Sequence, residues 1–560
     1  MKRYTYTPVS LPREMLQDAQ LRLIHPTILS ILYKRGYNTV AKLKDALFGD
    51  PNAIIHRREM LGVASAVVLL KKAIENRERI IIYRDYDCDG IAAGAVSMEC
   101  LLGLGAVVDH YANIRGIDGY GMCPAGVDSI LSKWPDTKVI LTVDNGIVAH
   151  EGIRHAKAAG LTVIVTDHHE PGETLPAADA IVDPKQDGET YPYKHLCGAG
   201  VIFKLMLALY AELGKHIAPV MATLDIVALA TVADVVPLTG ENRDIVKAGL
   251  QLINEGKRPF FAAMLDKLGE ANLNAHFGVA FLLAPMVNSV SRLDGDTQFV
   301  VDMMISHDGA LLKDQVEELY AMNVKRKEIT NREMALVDEV FPSQASASDS
   351  AIIIREDSLT EGVIGILAGR LKQAYNRPCI VFTMNDKGLL KGSARGCDGF
   401  ELKKALDMLP DGLLTAYGGH SKAAGITLKP DKYEDFKRAF IALTDSAFAG
   451  SSFVDCQELD AVLEESGCAK EFVEELQRLE PFGEGFPVPV FGLKARPTSV
   501  FYMGENQKHV KYVTENHLAV IQWNQGDAAR KRESYPNKFV GTLSLNVWKN
   551  TVSVQFICDD

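Results

Sequence analysis

This 560-residue chain lacks the means for a disulfide framework. Its nine cysteines, Cys88, Cys100, Cys123, Cys197, Cys379, Cys397, Cys456, Cys468 and Cys558, are odd in number, scattered, and include no Cys-x-x-Cys pair. That excludes a zinc ribbon as well. Long apolar runs are missing too. No stretch approaches the ~20 residues that span a bilayer, and the opening MKRYTYTPVSLPREM has no apolar core of a secretory signal. A cytoplasmic protein with no membrane partner is expected. Positive charge is in deficit, 60 Lys+Arg against 72 Asp+Glu, for a net of −12. Such a surface repels phosphate over most of its area, so only a local basic patch is compatible with nucleic acid. Disorder is excluded by the 47% hydrophobic content. At this length about three to four domains are expected.

Apolar stretches such as ILSILYKRGY alternate with polar breaks in residues 1–55, which read as a helical lead-in. From 56 the pattern changes. Ile80-Ile81-Ile82-Tyr83, Val139-Ile140-Leu141-Thr142-Val143 and Val163-Ile164-Val165 are short β-branched runs separated by helix-length segments. This is the pattern of βαβ units whose parallel sheet is covered on both faces. Residues 308–341 hold no Gly after Gly309, no Pro before Pro342, and apolar residues at helical spacing (Leu312, Val316, Leu319, Met322), which predicts one long connecting helix over 308–342. Strand-like sequence restarts at Ala351-Ile352-Ile353-Ile354. The C-terminal region then divides by charge. Residues 451–490 hold ten acids and two bases, whereas 491–558 hold nine bases and four acids, a net of +5. Phe501, Tyr502, Tyr512, Trp523, Phe539 and Trp548 lie among those bases. This composition suits either a small β-barrel that stacks bases and tracks phosphates or a β-domain whose aromatics are core.

The chemistry concentrates where the strands end. Asp85-Tyr86-Asp87-Cys88-Asp89-Gly90 follows the first run directly, Asp144-Asn145-Gly146 follows the second, and Asp167-His168-His169 the third. Asp225 and Asp234 stand in the otherwise apolar LDIVALATVADVVPL. An EF-hand is excluded because its position 12 is Val96. Open α/β sheets place ligands outside the carboxyl ends of their strands. Burying so many carboxylates without a cation costs several kcal/mol per unpaired charge. A donor set of carboxylates and imidazoles without thiolate suits Mn²⁺ or Mg²⁺. Two such ions suit phosphoester hydrolysis.

The motifs DYDCDG, VDNG, DHH and ADVVPL, in this order, resemble the DHH phosphoesterase superfamily, and the segments around them are similar to the RecJ family of 5′ to 3′ single-stranded-DNA exonucleases. Those segments are YANIRGIDGYG at 111–121, ADAIVDPK at 178–185, LCGAGV at 196–201, PMVNSVSRL at 285–293, EGVIGI at 361–366, GSAR at 392–395, GGH at 418–420 and LEPFGEGFPVPVF at 479–491. Three positions depart from the family pattern: Arg84 stands for Gly, Asn113 for Pro, and Thr360 for the histidine before EGVIG.

The resemblance implies two α/β lobes, a parallel-sheet DHH catalytic domain (56–307) and a smaller DHHA1 substrate-binding domain (343–451), joined by the long helix and followed by an OB-fold β-barrel (452–560) that binds nucleic acid. It implies two Mn²⁺ or Mg²⁺ ions on Asp85, Asp87, Asp89, Asp144, His168 and Asp234, with His169 facing the substrate and Asp167 and Asp225 orienting their neighbours. Substrate contacts carry over to Arg115, Asn288, Arg292, Ser393, Arg395, Gly418, Gly419 and His420. The implied substrate is single-stranded DNA with a 5′ phosphate, the product a 5′-mononucleotide, and the candidate protein partners a single-strand-binding protein or a helicase. Two other readings stand beside it. One is a DHH-type nanoRNase or cyclic-dinucleotide phosphodiesterase, which needs no basic barrel. The other is a non-catalytic single-strand clamp, which the full set of acids and histidines argues against.

Overall fold

The computed structural model describes all residues except 1–2, 50–53, 55–59, 115–120, 420, 450–455, 533, 549–550 and 560. After a short strand β1 (Arg3–Thr5) come β2 (Arg79–Arg84), β3 (Val107–Ala112), β4 (Thr137–Val143), β5 (Thr162–Thr166) and β6 (Ala180–Val182). These last five form one parallel sheet in the order β3-β2-β4-β5-β6. In β2 the side chains alternate between two cores. Ile80 and Ile82 join the helices Cys88–Gly103, Gly198–Glu212 and Leu224–Ala233 on one face, while Ile81 and Tyr83 join Ile130 and Ile153 on the other. A strand buried on both sides reads as an unbroken apolar run, which is how the sequence displays it. The strand order reverses between β2 and β4. Their carboxyl ends therefore open a crevice, the usual ligand position of such sheets.

The connecting helix spans Gly309–Gln344 and is capped by Asp308, whose Oδ1 accepts from Ala310 N and Leu311 N. It runs two residues past the expected end at 342, through Pro342. Gln344 holds that last turn by exchanging two 2.7 Å hydrogen bonds with the backbone of Arg355. The second lobe is a five-stranded mixed sheet of β7 (Ile352–Arg355), β8 (Cys379–Met384), β9 (Leu390–Arg395), β10 (Ala416–Gly419) and β11 (Ala423–Leu428), ordered β10-β11-β9-β8-β7.

The N-terminal segment, expected to lead into the first lobe, packs instead on the C-terminal module. β1 pairs in parallel with β12 (Cys456–Glu458). Met15, Ile28, Leu29, Ile31, Leu32 and Leu43 share one core with Phe472, Leu476, Phe486 and Phe491. The remaining strands are β13 (Ala461–Glu464), β14 (Phe491–Lys494), β15 (Pro497–Met503), β16 (His509–Thr514), β17 (Ala519–Gln522), β18 (Lys538–Trp548) and β19 (Thr551–Cys558), in the order β13-β14-β18-β19-β17-β16-β15. Only residues 495 and 496 separate β14 from β15, so one bent strand borders the run β18-β19-β17-β16 on both sides and closes a five-stranded barrel, with β13 added outside it on β14. The parallel β17/β19 contact and the helix Gly526–Arg530 between β17 and β18 complete an OB-fold topology. Its aromatics divide between both expected roles. Tyr512 and Phe539 are core, whereas Phe501 and Trp523 are 54% and 49% exposed.

Candidate active site

Each motif at the crevice is shaped by its own backbone. Asp87 caps the helix Cys88–Gly103, its Oδ1 accepting from Asp89 N at 3.0 Å and Gly90 N at 3.1 Å. The turn is tight enough that a Cβ on Gly90 would lie 2.5 Å from the Asp85 carbonyl oxygen. Asp89 points from the first turn of that helix to the start of another, where its carboxylate accepts from Gly198 N (2.6 Å) and Ala199 N (2.9 Å). A helix N-terminus favours such a negative charge. Gly198 must be glycine, because a Cβ there would come 2.5 Å from that of Asp144. Asp144 itself adopts the left-handed region at φ 61°, a strain of order 1–3 kcal/mol that recurs at functional sites. Asp234 ends the helix Leu224–Ala233.

These side chains converge. His168 Nε2 lies 3.1 Å from Asp144 Oδ1 and 3.7 Å from both Asp89 Oδ2 and Asp234 Oδ2. Yet His168 Nε2 and Asp144 Oδ1 are both buried and neither makes a hydrogen bond. Three overlapping sets each bring ligand atoms within 4.8 Å: Asp85, Asp87 and Asp144; Asp89, His168 and Asp234; Asp144, His168 and His169. A buried imidazole nitrogen turned toward carboxylate oxygens, with no hydrogen bond made between them, fits a divalent cation.

The electrostatics agree. Burial, followed by the neighbouring Asp87, pushes Asp89 up to about 6. Burial, then Asp89 and Asp87, raises Asp144 and Asp234 well above the carboxylate range. The two histidines move in opposite directions. Burial holds His168 well below its ordinary value, so it stays neutral and ligand-competent. Burial also opposes charge on His169, but Asp167, whose Oδ1 sits 2.7 Å from His169 Nδ1, overrides it and carries His169 to about 10. Asp167 is buried, which raises it, but His169 together with the backbone donor Ile147 N (2.9 Å) brings it to about 2.

The other expected residues fall in several places. Asn288 Oδ1 accepts from Cys88 N (3.0 Å) and so braces the metal-side loop. Arg292 reaches across to the second lobe and donates to Gly362 O (3.2 Å). Ser393 and Arg395 lie on β9, with Arg395 Nη1 donating to Ser393 Oγ (3.1 Å) and both beside Gly365. Gly418 and Gly419 form an exposed edge strand. Arg115 and His420 lie outside the described residues. Asp225 is not at the crevice. It occupies the opposite end of the helix from Asp234 and pairs with Arg258 Nε at 2.7 Å, so its charge is structural. The Gly198 and Ala199 donors had no assigned role, although LCGAGV had signalled a special segment. Glu333, buried in the connecting helix, bonds Thr360 N (3.0 Å) and Oγ1 (2.7 Å), and nothing in the sequence pointed to it.

Three family profiles match the chain: the DHH family N-terminal domain over 79–231, the DHHA1 domain over 348–445 and the RecJ OB domain over 459–560. The single-stranded-DNA-specific exonuclease RecJ of Bacillus subtilis is 35% identical over 96% of this chain and 68% of that protein. The protein of the same name from Escherichia coli is 34% identical over 90% and 89%. The chain belongs to the RecJ family. The solved structure of RecJ from Thermus thermophilus in complex with Mn²⁺ matches with TM-score 0.83 and 29% identity, covering 100% of this chain and 79% of that one. The Mg²⁺ complex of the same RecJ matches with TM-score 0.77 and 27% identity, covering 100% and 78%. Arg84, next to Asp85, is buried, and its Nε and Nη2 have no hydrogen-bond partner among the described residues. Its buried side chain donates to Asp85 O (3.1 Å) and Thr297 Oγ1 (2.9 Å). Gly94 makes room for it, since a Cβ there would come 2.7 Å from Arg84 Cδ.

Proposed function

We propose that the chain is a metal-dependent exonuclease specific for single-stranded DNA, working from a 5′-phosphorylated end and releasing 5′-mononucleotides. The observation that carries this is the unbonded contact between His168 Nε2 and Asp144 Oδ1, 3.1 Å apart within a ring of carboxylates at the sheet's carboxyl edge. The names of the relatives above supply the substrate class. Asp85, Asp87, Asp89, Asp144, His168 and Asp234 would hold two Mn²⁺ or Mg²⁺ ions. Bound there, the ions polarise the phosphate, acidify water and take charge from the leaving oxygen.

The chain's own residues do the rest. The Gly198 and Ala199 amides fix both oxygens of Asp89. The neutral His168 keeps its Nε2 lone pair turned inward. His169, donating Nδ1–H to Asp167 and held cationic by it, can give a proton from Nε2 to a phosphate oxygen or to the departing O3′. Water adds to phosphorus, the P–O3′ bond breaks, and the next nucleotide keeps its 5′ phosphate. Ser393, Arg395, Gly418 and Gly419 of the second lobe, with Arg115 and His420, would hold the terminal phosphate. Asn288 and Arg292 would keep the two walls of the groove in register. A crevice between two lobes admits a flexible strand and excludes a stiff duplex. A helicase or a single-strand-binding protein would supply that strand.

The test is rate against strand length with Mn²⁺, in wild type and Asp144→Asn. A long-strand exonuclease gains kcat/KM as the oligonucleotide lengthens toward the barrel's reach, and the variant and EDTA abolish cleavage. Cleavage confined to substrates of a few nucleotides would instead indicate a nanoRNase.

A further inference from the structure

The helix that runs into the crevice begins in an unusual form. Ala275–Leu283 is wound as a π-helix, a geometry that is rare beyond one turn and recurs at functional sites. Asn274 caps it, its Oδ1 accepting from Phe277 N and Gly278 N at 3.0 Å each. Ala275, Gly278, Val279 and Leu283 face the core. Phe277 and Phe281 face water, 56% and 64% exposed, with ring centroids 6.1 Å apart and planes inclined by only 30°. Packing of the fold does not account for two aromatic faces turned outward.

Their position does suggest a use. The π-helix continues directly into the helix Ala284–Arg292, which carries Asn288 to the Asp85–Asp89 loop and Arg292 to the second lobe. At a rise of 1.5 Å per residue, Phe281 stands roughly 10 Å along that rod from Asn288. At the other end His276 meets Phe482 edge-on, 6.1 Å between centroids, and Phe482 belongs to the segment that packs into the barrel's core. The phenylalanine pair thus lies between the nucleic-acid-binding module and the metal-side loop.

We propose that Phe277 and Phe281 form a base-stacking step for the single strand on its way from the barrel to the catalytic centre. At the ~3.4 Å stacking rise of a strand, 10 Å places the contact roughly three nucleotides from the cut bond. This rests on the exonuclease reading above. Every base has a π-face, so two near-parallel rings grip successive bases without regard to sequence. A protein partner would also fit exposed aromatics, but a rod that touches Phe482 at one end and the Asp85–Asp89 loop at the other favours the strand.

The test uses the full chain with Mn²⁺ and three variants: the double Phe277→Ala/Phe281→Ala, Phe281→Ala and Phe281→Trp. Substrates are the p-nitrophenyl ester of thymidine 5′-monophosphate, a 5′-phosphorylated single strand of about 20 nucleotides, and the same strand with one abasic residue at about the third to fifth nucleotide. The double variant should raise KM on the intact strand about tenfold, leave kcat on the small ester unchanged and melt like wild type. Phe281→Trp should retain wild-type KM. The abasic lesion should raise wild-type KM but add little to the double variant, because protein and DNA would be losing the same contact. Full additivity of lesion and variant, or wild-type KM in the double variant, would overturn the proposal. Failure of wild type to cleave the small ester would instead count against the metal-phosphoesterase reading.

Discussion

Replacing Asp144 by Asn should stabilise the metal-free protein while abolishing the gain that Mn²⁺ confers. Asp144 is buried and faces Asp89, Asp87, Asp85 and Asp234. A ligand atom of Asp144 lies within 4.8 Å of those of Asp85 and Asp87, and two unit charges at that distance repel by about 3 kcal/mol at an effective dielectric of 20. Uptake of protons relieves part of this, leaving a gain of about 1–3 kcal/mol, or roughly 3–10 °C in the melting temperature of the catalytic domain. Asn is the informative substitution because it tolerates the left-handed backbone at φ 61° as readily as Asp. The gain has a defined pH dependence. Carboxyls whose folded pKa is raised cost stability above that pKa and regain it as they protonate, so the advantage of the variant should be largest at high pH and shrink as pH falls and Asp144 takes up its own proton, well above the ordinary carboxylate range. With Mn²⁺ at 100 times its dissociation constant wild type gains about 2.7 kcal/mol, and the variant should gain almost none, which cancels or reverses the difference between them. Calorimetry in EDTA and in Mn²⁺ reads both effects. A variant that melts lower than wild type in EDTA would show that these carboxylates are satisfied without a cation and would refute the reasoning.

Three further outcomes follow from the fold. Asp225→Asn should cost about 3 kcal/mol in urea unfolding by leaving Arg258 short of a buried partner, with Mn²⁺ affinity by titration calorimetry unchanged; lower affinity at full stability would return Asp225 to the metal centre. Deleting 452–560 alone should give aggregating protein, because it bares Met15, Ile28, Leu29 and Leu32, whereas removing 1–49 as well, which spares Ile54 and Met60 of the catalytic lobe's core, should restore a soluble two-lobe protein that still cleaves the small thymidine ester; equal solubility of the two truncations would contradict the shared core. Tyr512→Ala should cost about 3–4 kcal/mol as a core truncation, while Trp523→Ala should leave stability within about 0.5 kcal/mol and weaken long-strand binding severalfold, as read by anisotropy.

Much of the catalytic lobe was legible because its causes are local. A strand buried on both faces must be apolar throughout, as Ile80 to Tyr83 are, and the residues that follow such a strand fall at the ligand-binding edge of the sheet. Hence Asp85 to Asp89, Asp144 and His168 could be placed together from the sequence alone. Asp225 could not be separated from Asp234, since both are acids in one apolar helix and only the arrival of Arg258, 33 residues later, distinguishes its first turn from its last. The long-range pairing of β1 with β12, across some 450 residues, leaves no periodicity to read. Nor does composition distinguish inward from outward aromatics: Tyr512 takes an inward position of β16, whereas Trp523 falls just past the end of β17 and stays exposed. The π-winding of Ala275–Leu283 was equally hidden, because its apolar composition suits any buried helix.

The most direct measurement is product analysis on a single strand of about 40 nucleotides, labelled at the 5′ end in one sample and the 3′ end in another, with Mn²⁺ or EDTA. The proposed function predicts labelled mononucleotide at the earliest times from the 5′ label and a steadily shortening ladder from the 3′ label, both abolished by EDTA and by Asp144→Asn. Mononucleotide released first from the 3′ label, or cleavage that persists in EDTA, would contradict it.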